Sequence, residues 1–175
     1  MPVEVKGVIE LRKALRQFAP DLAKDLTKEM GAALKPITRK SRSFLPSNDE
    51  VLSGWVKSGK EGRKFPEYDA SIARKGITYK TSPSKRNSRG FKSIASIFNK
   101  TAAGAIYETA GRKTPSSIFV QNLQAKAHGQ FKGSDKQRGR VLYRAWEEDQ
   151  GKTQDAVLRA IEKAASILNS RSQVR

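Results

Sequence analysis

Apolar residues recur at intervals of three and four along the first part of the chain, which indicates amphipathic helices. One stripe predicts a helix within residues 3–18 and consists of Val8, Leu11, Leu15 and Phe18. A second helix is predicted from Pro20, because proline is well tolerated in a first helical turn. Its stripe consists of Leu22, Leu26, Met30, Ala33, Leu34 and Ile37. Pro36 lacks a backbone N–H, so this helix is expected to kink near Lys35 or to end early.

The pattern then changes to short β-compatible runs separated by turn residues. Residues 52–57 form one such run, in which Trp55 either packs in the core or stands out as an interface anchor. Residues 69–81 predict a strand pair or one bent strand, with Gly76 in the turn. The β-forming residues here are Ile72, Ile77 and Tyr79.

Residues 81–92 predict a flexible basic loop, since the polar run within them carries Lys85, Arg86 and Arg89. This loop is either a solvated excursion or a finger that folds against a neighbouring subunit, an acidic partner or DNA. The spacing of the apolar residues that follow predicts a short helix or ordered apolar segment; they are Phe91, Ile94, Ile97 and Phe98.

Residues 102–113 are the least generic segment, because small residues here allow close backbone approach. They predict a tightly packed turn or short helix that stops at Gly111. Within this segment Glu108 lies beside Tyr107 and before Arg112, so a salt bridge to a basic residue, within or between subunits, is its expected role. A short strand at 118–120 is predicted next.

The last third predicts a flexible basic loop over residues 121–138 and then helices. Gly139 precedes the helical region and Gly151 allows a break within it. The final helix has an apolar stripe that consists of Val157, Leu158, Ile161, Ala164, Ala165 and Leu168. Residues 170–175 are expected to fray.

Together these elements predict an α+β fold, in which N-terminal helices and a C-terminal helix pack on a small, mainly antiparallel sheet with long basic loops. A length of 175 residues suits a single domain over residues 1–175. The sequence lacks cysteine, a signal-like apolar core at its N-terminus and any apolar run of membrane-spanning length. We therefore expect a cytoplasmic protein with no disulfide and no membrane partner.

The positive charge is the strongest compositional feature. The chain has 35 lysines and arginines and 17 aspartates and glutamates, which gives a net charge of +18. Such a protein attracts polyanions. It either binds nucleic acid, docks on acidic protein surfaces or lines a channel through which DNA passes. The basic residues are scattered and no recognition motif frames them, which disfavours sequence-specific binding.

The sequence offers little catalytic chemistry, so we predict no enzyme, no cofactor and no metal site. The single histidine, His128, lies in a basic loop, and without cysteine or a second histidine it cannot form a usual metal cluster. Three adjacent acids, Glu147, Glu148 and Asp149, are better explained as a solvated helix end than as a cation site.

Three phrases of the sequence resemble the tail-completion, or neck, family of long-tailed bacteriophages. They are the Val-Lys-Gly-Val-Ile-Glu-Leu run at 5–11, the Tyr-Glu-Thr-Ala-Gly run at 107–111, and the segment 139–146 that leads into the final helix. Two features depart from the family pattern. Ala110 is inserted before the glycine, and the Pro then Thr-Gly-x-Leu phrase appears only loosely, as Pro46 followed by residues 52–55.

The resemblance implies a structural virion protein at the head-tail junction, made in the host cytoplasm. Its subunits would form a ring, with six copies expected from the family, between a head-side connector or stopper and the tail terminator or tail tube. The ring would leave a DNA channel open, with non-specific contact to the genomic DNA as a further expectation. The candidate interface residues are Tyr107, Glu108, Arg112, Trp55, Lys85, Arg86 and Arg89. The alternative is a basic protein that binds nucleic acid without sequence specificity.

Overall fold

The computed structural model describes residues 7–56, 66–113, 115–125, 131–132 and 138–173. Within these residues the chain forms seven α-helices and one two-stranded antiparallel sheet, so the predicted α+β class is confirmed. The helices are α1 (Val8–Phe18), α2 (Pro20–Ser43), α3 (Ala70–Gly76), α4 (Ala102–Thr109), α5 (Ile118–Ala125), α6 (Leu142–Asp149) and α7 (Lys152–Gln173). The strands are β1 (Ile77–Lys80) and β2 (Ser96–Asn99), and a short 3-10 turn spans Ser53–Trp55.

The two N-terminal helices are confirmed, with two corrections. Phe18 was assigned to the apolar stripe of α1, but this last residue of the helix is 73% exposed. The helix α2 continues through Pro36 to Ser43, so the expected early end is wrong.

The predicted strand pair over residues 69–81 is wrong in its first half, which forms α3. Asp69 caps this helix: its carboxylate accepts a hydrogen bond from the N–H of Ile72 at 2.8 Å. Ala70, Ala73 and Gly76, spaced by three, form the buried face, whereas Ile72 is 60% exposed. Gly76 is the last residue of α3, so it marks the change from helix to strand rather than a turn between strands.

Two further local predictions are wrong. The apolar residues after the basic loop were predicted to form a short helix or an ordered apolar segment rather than a strand, but Ser96–Asn99 pairs with β1, so tertiary pairing outweighs local spacing. The segment 118–120 was predicted to be a strand, but it begins α5. Ser117 caps that helix, since its hydroxyl accepts from the N–H of Val120 at 3.3 Å.

The chain divides into two compact units, and one boundary falls directly after Pro36 within α2. Unit 1 comprises Met1–Pro36, Tyr79–Ser96 and Gly151–Arg175. Its core is built from α1, the first part of α2 and α7, and its buried members are Val8, Leu15, Ala19, Leu22, Leu26, Met30, Ala160, Ile161 and Ala164. This core contains most, but not all, of the apolar residues that predicted those three helices, since Ala33, Leu158 and Ala165 do not belong to it.

Unit 2 comprises Ile37–Thr78 and Ile97–Gln150 and has a separate, more aromatic core. The buried members are Leu45, Val51, Trp55, Tyr68, Ala70, Ala73, Ile77, Ala103, Tyr107, Leu123 and Val141. A single domain over residues 1–175 stays a prediction, set beside two units that each bury a core of their own.

The predicted loops and tail differ from the structure at their edges. Of the predicted loop 121–138, residues 121–125 belong to α5, and residues 126–130 and 133–137 lie outside the described residues. The helix α7 extends to Gln173, into the segment expected to fray. No helix among the described residues has both the length and the apolar character needed to cross a membrane.

Candidate functional site

The helix α4 forms where the sequence predicted a packed segment with a glycine stop. Thr101 caps the helix by accepting from the N–H of Gly104 at 3.3 Å, and Asn99 in turn accepts from the N–H of Thr101 at 2.8 Å. A methyl group on Gly76 or Gly104 would collide with Thr101 or Asn99, so the end of α3 and the first turn of α4 each require a glycine beside the residues that cap α4. Gly111 follows with φ of 90°, the positive value that the predicted stop requires.

Glu108 connects α4 to the first turn of α6. The residue is 5% exposed, and its carboxylate accepts backbone hydrogen bonds from the N–H groups of Val141 (2.6 Å), Leu142 (3.1 Å) and Tyr143 (3.1 Å). These N–H groups lie at the start of α6, where they have no partner within the helix and where the helix dipole favours an anion. The expected salt bridge to a basic side chain is therefore corrected, because the hydrogen-bond partners are backbone donors.

Gly139 makes this contact possible. A Cβ atom there would collide with the Glu108 carboxylate and approach the Tyr143 ring to 3.1 Å. Gly139 was expected only to precede the helical region, and the structure adds that the carboxylate occupies the space beside it.

Arg140 completes the connection from the opposite side. Its side chain is fully buried, and Nη1 donates to the carbonyls of Tyr107 (2.9 Å) and Ala110 (2.7 Å) at the C-terminal end of α4. The guanidinium also lies 3.9 Å from the centre of the Phe131 ring. Burial lowers the pKa of Arg140, and the nearby Tyr107 and Glu108 oppose that shift. The two helix ends thus receive opposite charges, a cation at the end of α4 and an anion at the start of α6.

Arg112, a predicted interface residue, is half-buried and takes part in a reciprocal contact. Its Nε donates to the carbonyl of Arg138 at 2.6 Å, and Nη2 of Arg138 donates back to the carbonyl of Arg112 at 3.0 Å. The Arg112 guanidinium also lies 4.8 Å from the centre of the Tyr143 ring. The pair joins the two ends of the intervening segment 113–137. We call the contacts of Glu108, Arg112, Arg138 and Arg140 the α4–α6 clasp.

Tyr107 and Trp55 belong to the core of unit 2. They are 2% and 7% exposed, and the ring of Tyr68 lies 6.4 Å from that of Tyr107 and 5.2 Å from that of Trp55. Trp55 Nε1 donates to the carbonyl of Pro66 at 2.9 Å, which satisfies its polar atom. Burial raises the pKa of Tyr107 to about 12. Of the two alternatives for Trp55, the core position is confirmed, and neither ring is available as a surface contact in this chain.

Lys85, Arg86 and Arg89 are all exposed and lie together on residues 82–93, which we call the basic finger. The finger is a hydrogen-bonded turn rather than an unstructured loop. Ser84 and Ser93 pair across it, with the Ser84 N–H donating to the Ser93 carbonyl at 2.9 Å. The candidate interface thus separates into the α4–α6 clasp and a core tyrosine and tryptophan, all in unit 2, and three exposed cations in unit 1.

Asn87 sets the conformation of the fingertip, by which we mean residues 87–91. Its side-chain oxygen accepts from the N–H groups of Arg89 at 3.0 Å and Phe91 at 2.9 Å. Its own N–H donates to the Phe91 carbonyl at 2.9 Å, and Gly90 takes a φ of 80°. The tip is therefore ordered by one asparagine and one glycine.

The described residues supply no metal cluster: no group of three or more histidines, cysteines, aspartates or glutamates among them is placed to hold a metal ion. His128 lies outside the described residues. Of the acidic run after Trp146, Glu148 forms ion pairs with Lys40 at 3.0 Å and with Arg144 at 3.0 Å. The arrangement that remains is suited to holding helices together and to presenting positive charge.

Several of these residues were not identified from the sequence. Arg140 was named only as part of a phrase, and Arg138 not at all, since a buried arginine has no signature in a basic sequence. Asn87 had a readable signal, because asparagine three residues before glycine in a polar run is typical of a turn. Phe91, assigned to an apolar segment, is 44% exposed, and Trp146, on α6, is 42% exposed.

No protein-family model matches this chain, and no curated protein or solved structure matches it either.

Proposed function

We propose that this protein is a structural virion protein of the head-tail junction of a long-tailed phage. It forms a ring, expected to have six subunits, that joins a head-side connector or stopper to the tail terminator or tail tube. The observation that carries the proposal is the α4–α6 clasp. Two of the three phrases that resemble the neck family, residues 107–111 and 139–146, are joined in it through Glu108 and Arg140.

The geometry supports a structural role for those phrases. The side chains of Glu108 and Arg140 are buried in contacts that hold α4 to α6, and that of Tyr107 is buried in the core of unit 2. A site of this kind fixes the shape of a subunit, which repeated assembly around an axis requires. In this proposal the net charge of +18 attracts acidic neighbouring proteins or the DNA that passes through the ring.

A second candidate function is a basic protein that binds nucleic acid outside any particle. The basic finger favours it, because Lys85, Arg86 and Arg89 are presented together and exposed. Five other basic residues are candidates for phosphate contact: Arg74 and Lys75 lie in the last turn of α3, and Lys60, Arg63 and Lys64 lie outside the described residues.

Mass spectrometry of gradient-purified tailed particles, washed at high salt and treated with nuclease, tests the junction role. We expect the chain to be retained at a few copies per particle, in a fixed ratio to the connector. Its absence from washed particles would overturn the junction proposal and leave the nucleic-acid candidate.

A variant test separates the two candidates further. Glu108→Lys is unsuitable, because this residue is buried against backbone donors and the variant would fail to fold. The replacement of Lys85, Arg86 and Arg89 by serine affects exposed side chains only. If that variant keeps the DNA affinity of the parent but no longer enters particles, the nucleic-acid candidate is refuted.

A further inference from the structure

The basic finger has a fixed base on the helical core of unit 1. On its first arm, the Thr81 carbonyl accepts a hydrogen bond from Nη1 of the buried Arg12 at 2.6 Å, and the Tyr79 ring lies against Gly31 of α2. On the second arm, Ile94 and Ala95 pack against the core of α1, α2 and α7. Both arms are therefore held, and only the segment between them extends from the unit.

The segment between the arms is exposed, and all of its charged residues are cations. All residues from 82 to 92 are exposed except the half-buried Pro83. Residues 77–100 contain no aspartate or glutamate, and their six cations are Lys80, Lys85, Arg86, Arg89, Lys92 and Lys100. Lys85, Arg86 and Arg89 form no ion pair with any acidic residue in the described part of the chain. Their charge is thus directed outward and is not neutralised within the subunit.

A single aromatic side chain accompanies these cations. Phe91 is 44% exposed and follows Arg89 and Gly90 at the tip. The centres of protein-protein interfaces are depleted in lysine and rich in apolar area, and the fingertip offers only this one apolar residue. Proteins that bind the minor groove of DNA frequently combine phosphate contacts from lysine and arginine with an apolar side chain inserted at a base step. The composition of the tip therefore favours DNA over an acidic protein surface.

We propose that the basic finger is a duplex-DNA contact. Lys85, Arg86 and Arg89 bind backbone phosphates, and Phe91 makes an apolar contact within a groove, without reading the sequence. Asn87 positions these side chains by holding the tip in its turn. This inference rests on the proposed junction role, because it says which residues would contact the DNA that passes through the ring. It is tested on the isolated protein, so it can be refuted without refuting the junction role.

The test compares two triple variants of equal charge. One carries Lys85→Gln, Arg86→Gln and Arg89→Gln in the finger. The matched control carries Arg16→Gln, Lys24→Gln and Lys28→Gln, which are exposed positions on α1 and α2 of the same unit. Both lower the net charge from +18 by three. Binding of the full-length proteins to a fluorescent duplex of arbitrary sequence is measured by anisotropy at several salt concentrations.

We expect the finger variant to bind about a hundredfold more weakly at physiological ionic strength, and the control to bind nearly as tightly as the parent. The slope of log affinity against log salt should fall by about 0.9 for each phosphate that is no longer bound, and so by nearly 3 in the finger variant. Equal decreases in affinity in the two variants would refute a local contact, because net charge alone would then explain the binding.

Two further variants test the geometry at constant charge. Asn87→Ala removes the acceptor that orders the tip, and Phe91→Ser removes the apolar side chain. We expect each to weaken duplex binding about threefold to tenfold, and Phe91→Ser to leave the salt slope unchanged because the same phosphates remain bound. Full affinity in both variants would refute the preformed groove contact. A finger variant that binds duplex like the parent would also overturn the proposal, and its absence from particles would then identify an acidic protein as the partner.

Discussion

The replacement of Glu108 by glutamine tests whether the α4–α6 clasp holds unit 2 together. The substitution keeps the size and shape of the side chain but removes its charge. In the parent protein the two carboxylate oxygens accept from the N–H groups of Val141, Leu142 and Tyr143 at 2.6 to 3.1 Å. A neutral amide retains one acceptor oxygen and turns an NH₂ group toward the remaining donors, so at least one N–H group loses its partner.

The magnitude follows from burial and charge. A hydrogen bond to a charged group contributes about 1.5–3 kcal/mol, and an anion at a helix N-terminus adds about 0.3–1 kcal/mol. Val141 is fully buried, so the retained oxygen is expected to stay with its N–H, whereas Leu142 and Tyr143 are half-buried and partly reached by water. The expected decrease in stability is therefore about 2 kcal/mol, which lowers the melting temperature of a protein of this size by about 4–8 °C.

Tryptophan fluorescence during urea unfolding is the suitable assay. The chain has two tryptophans, Trp55 and Trp146, and both belong to unit 2, so the signal reports that unit. A Trp146→Phe background leaves only the buried Trp55 as the probe. Glu147→Gln is the matched control, because it makes the same chemical change at an exposed position of α6 and should alter stability by no more than about 0.5 kcal/mol.

A free energy of unfolding for Glu108→Gln within about 0.5 kcal/mol of the Glu147→Gln value would refute the reasoning. It would mean that water or other acceptors replace the carboxylate at the start of α6. Amide hydrogen exchange at Val141, Leu142 and Tyr143 gives an independent readout, because these N–H groups should exchange faster in the glutamine variant if the clasp has opened.

Two other perturbations of unit 2 have definite expected outcomes. Burial raises the pKa of Tyr107 to about 12 and that of Tyr68 further, so both rings bind their protons more tightly in the folded state than in the unfolded chain. The stability that these two phenols contribute is fully present below about pH 10 and is lost above it, by about 1.4 kcal/mol per pH unit for each. When both tyrosines are replaced by phenylalanine, the urea midpoint should therefore depend less on pH between about pH 9 and 12. A pH dependence equal to that of the parent would contradict this. Gly139→Ala places a methyl group against Glu108 and should destabilise the protein by about 2 kcal/mol or more, whereas Gly54→Ala meets no atom within 4 Å and should change stability by less than about 1 kcal/mol. Equal melting temperatures of the two alanine variants would contradict the close approach.

The parts of the fold that the sequence predicted are those with a long local period. The helices α1, α2 and α7 repeat apolar residues over several turns, so their stripes are evident without tertiary information. Gly111 and Gly151 were predicted as a stop and a break, and both take positive φ values, because glycine is the residue that adopts them readily.

The short elements failed for two different reasons. The capping residues Asp69 and Ser117 were present in the sequence, and each directly preceded a helix that was predicted as a strand. Greater weight on caps than on β-branched residues would have found both helices. The strand β2 had no such signal, because its conformation depends on pairing with β1, a contact that local spacing does not encode.

The role of Glu108 could not be deduced from the sequence, although its importance could. The donors that it accepts from lie 33 to 35 residues further along the chain and are backbone N–H groups, which every residue type except proline supplies. A basic side chain was the expected partner instead, because Glu108 precedes Arg112 closely in the sequence.

The α4–α6 clasp holds two helices of unit 2 in place, whereas the basic finger of unit 1 presents exposed cations. Arg112 and Arg138 hydrogen-bond to each other's carbonyls, so they fix the two ends of the segment 113–137. Within that segment Leu123 belongs to the core of unit 2 and Phe131 lies against Arg140, so these two positions constrain the segment in addition to its ends. In the basic finger the base is held and the tip is ordered, so the exposed cations can bind a polyanion with little loss of conformational freedom.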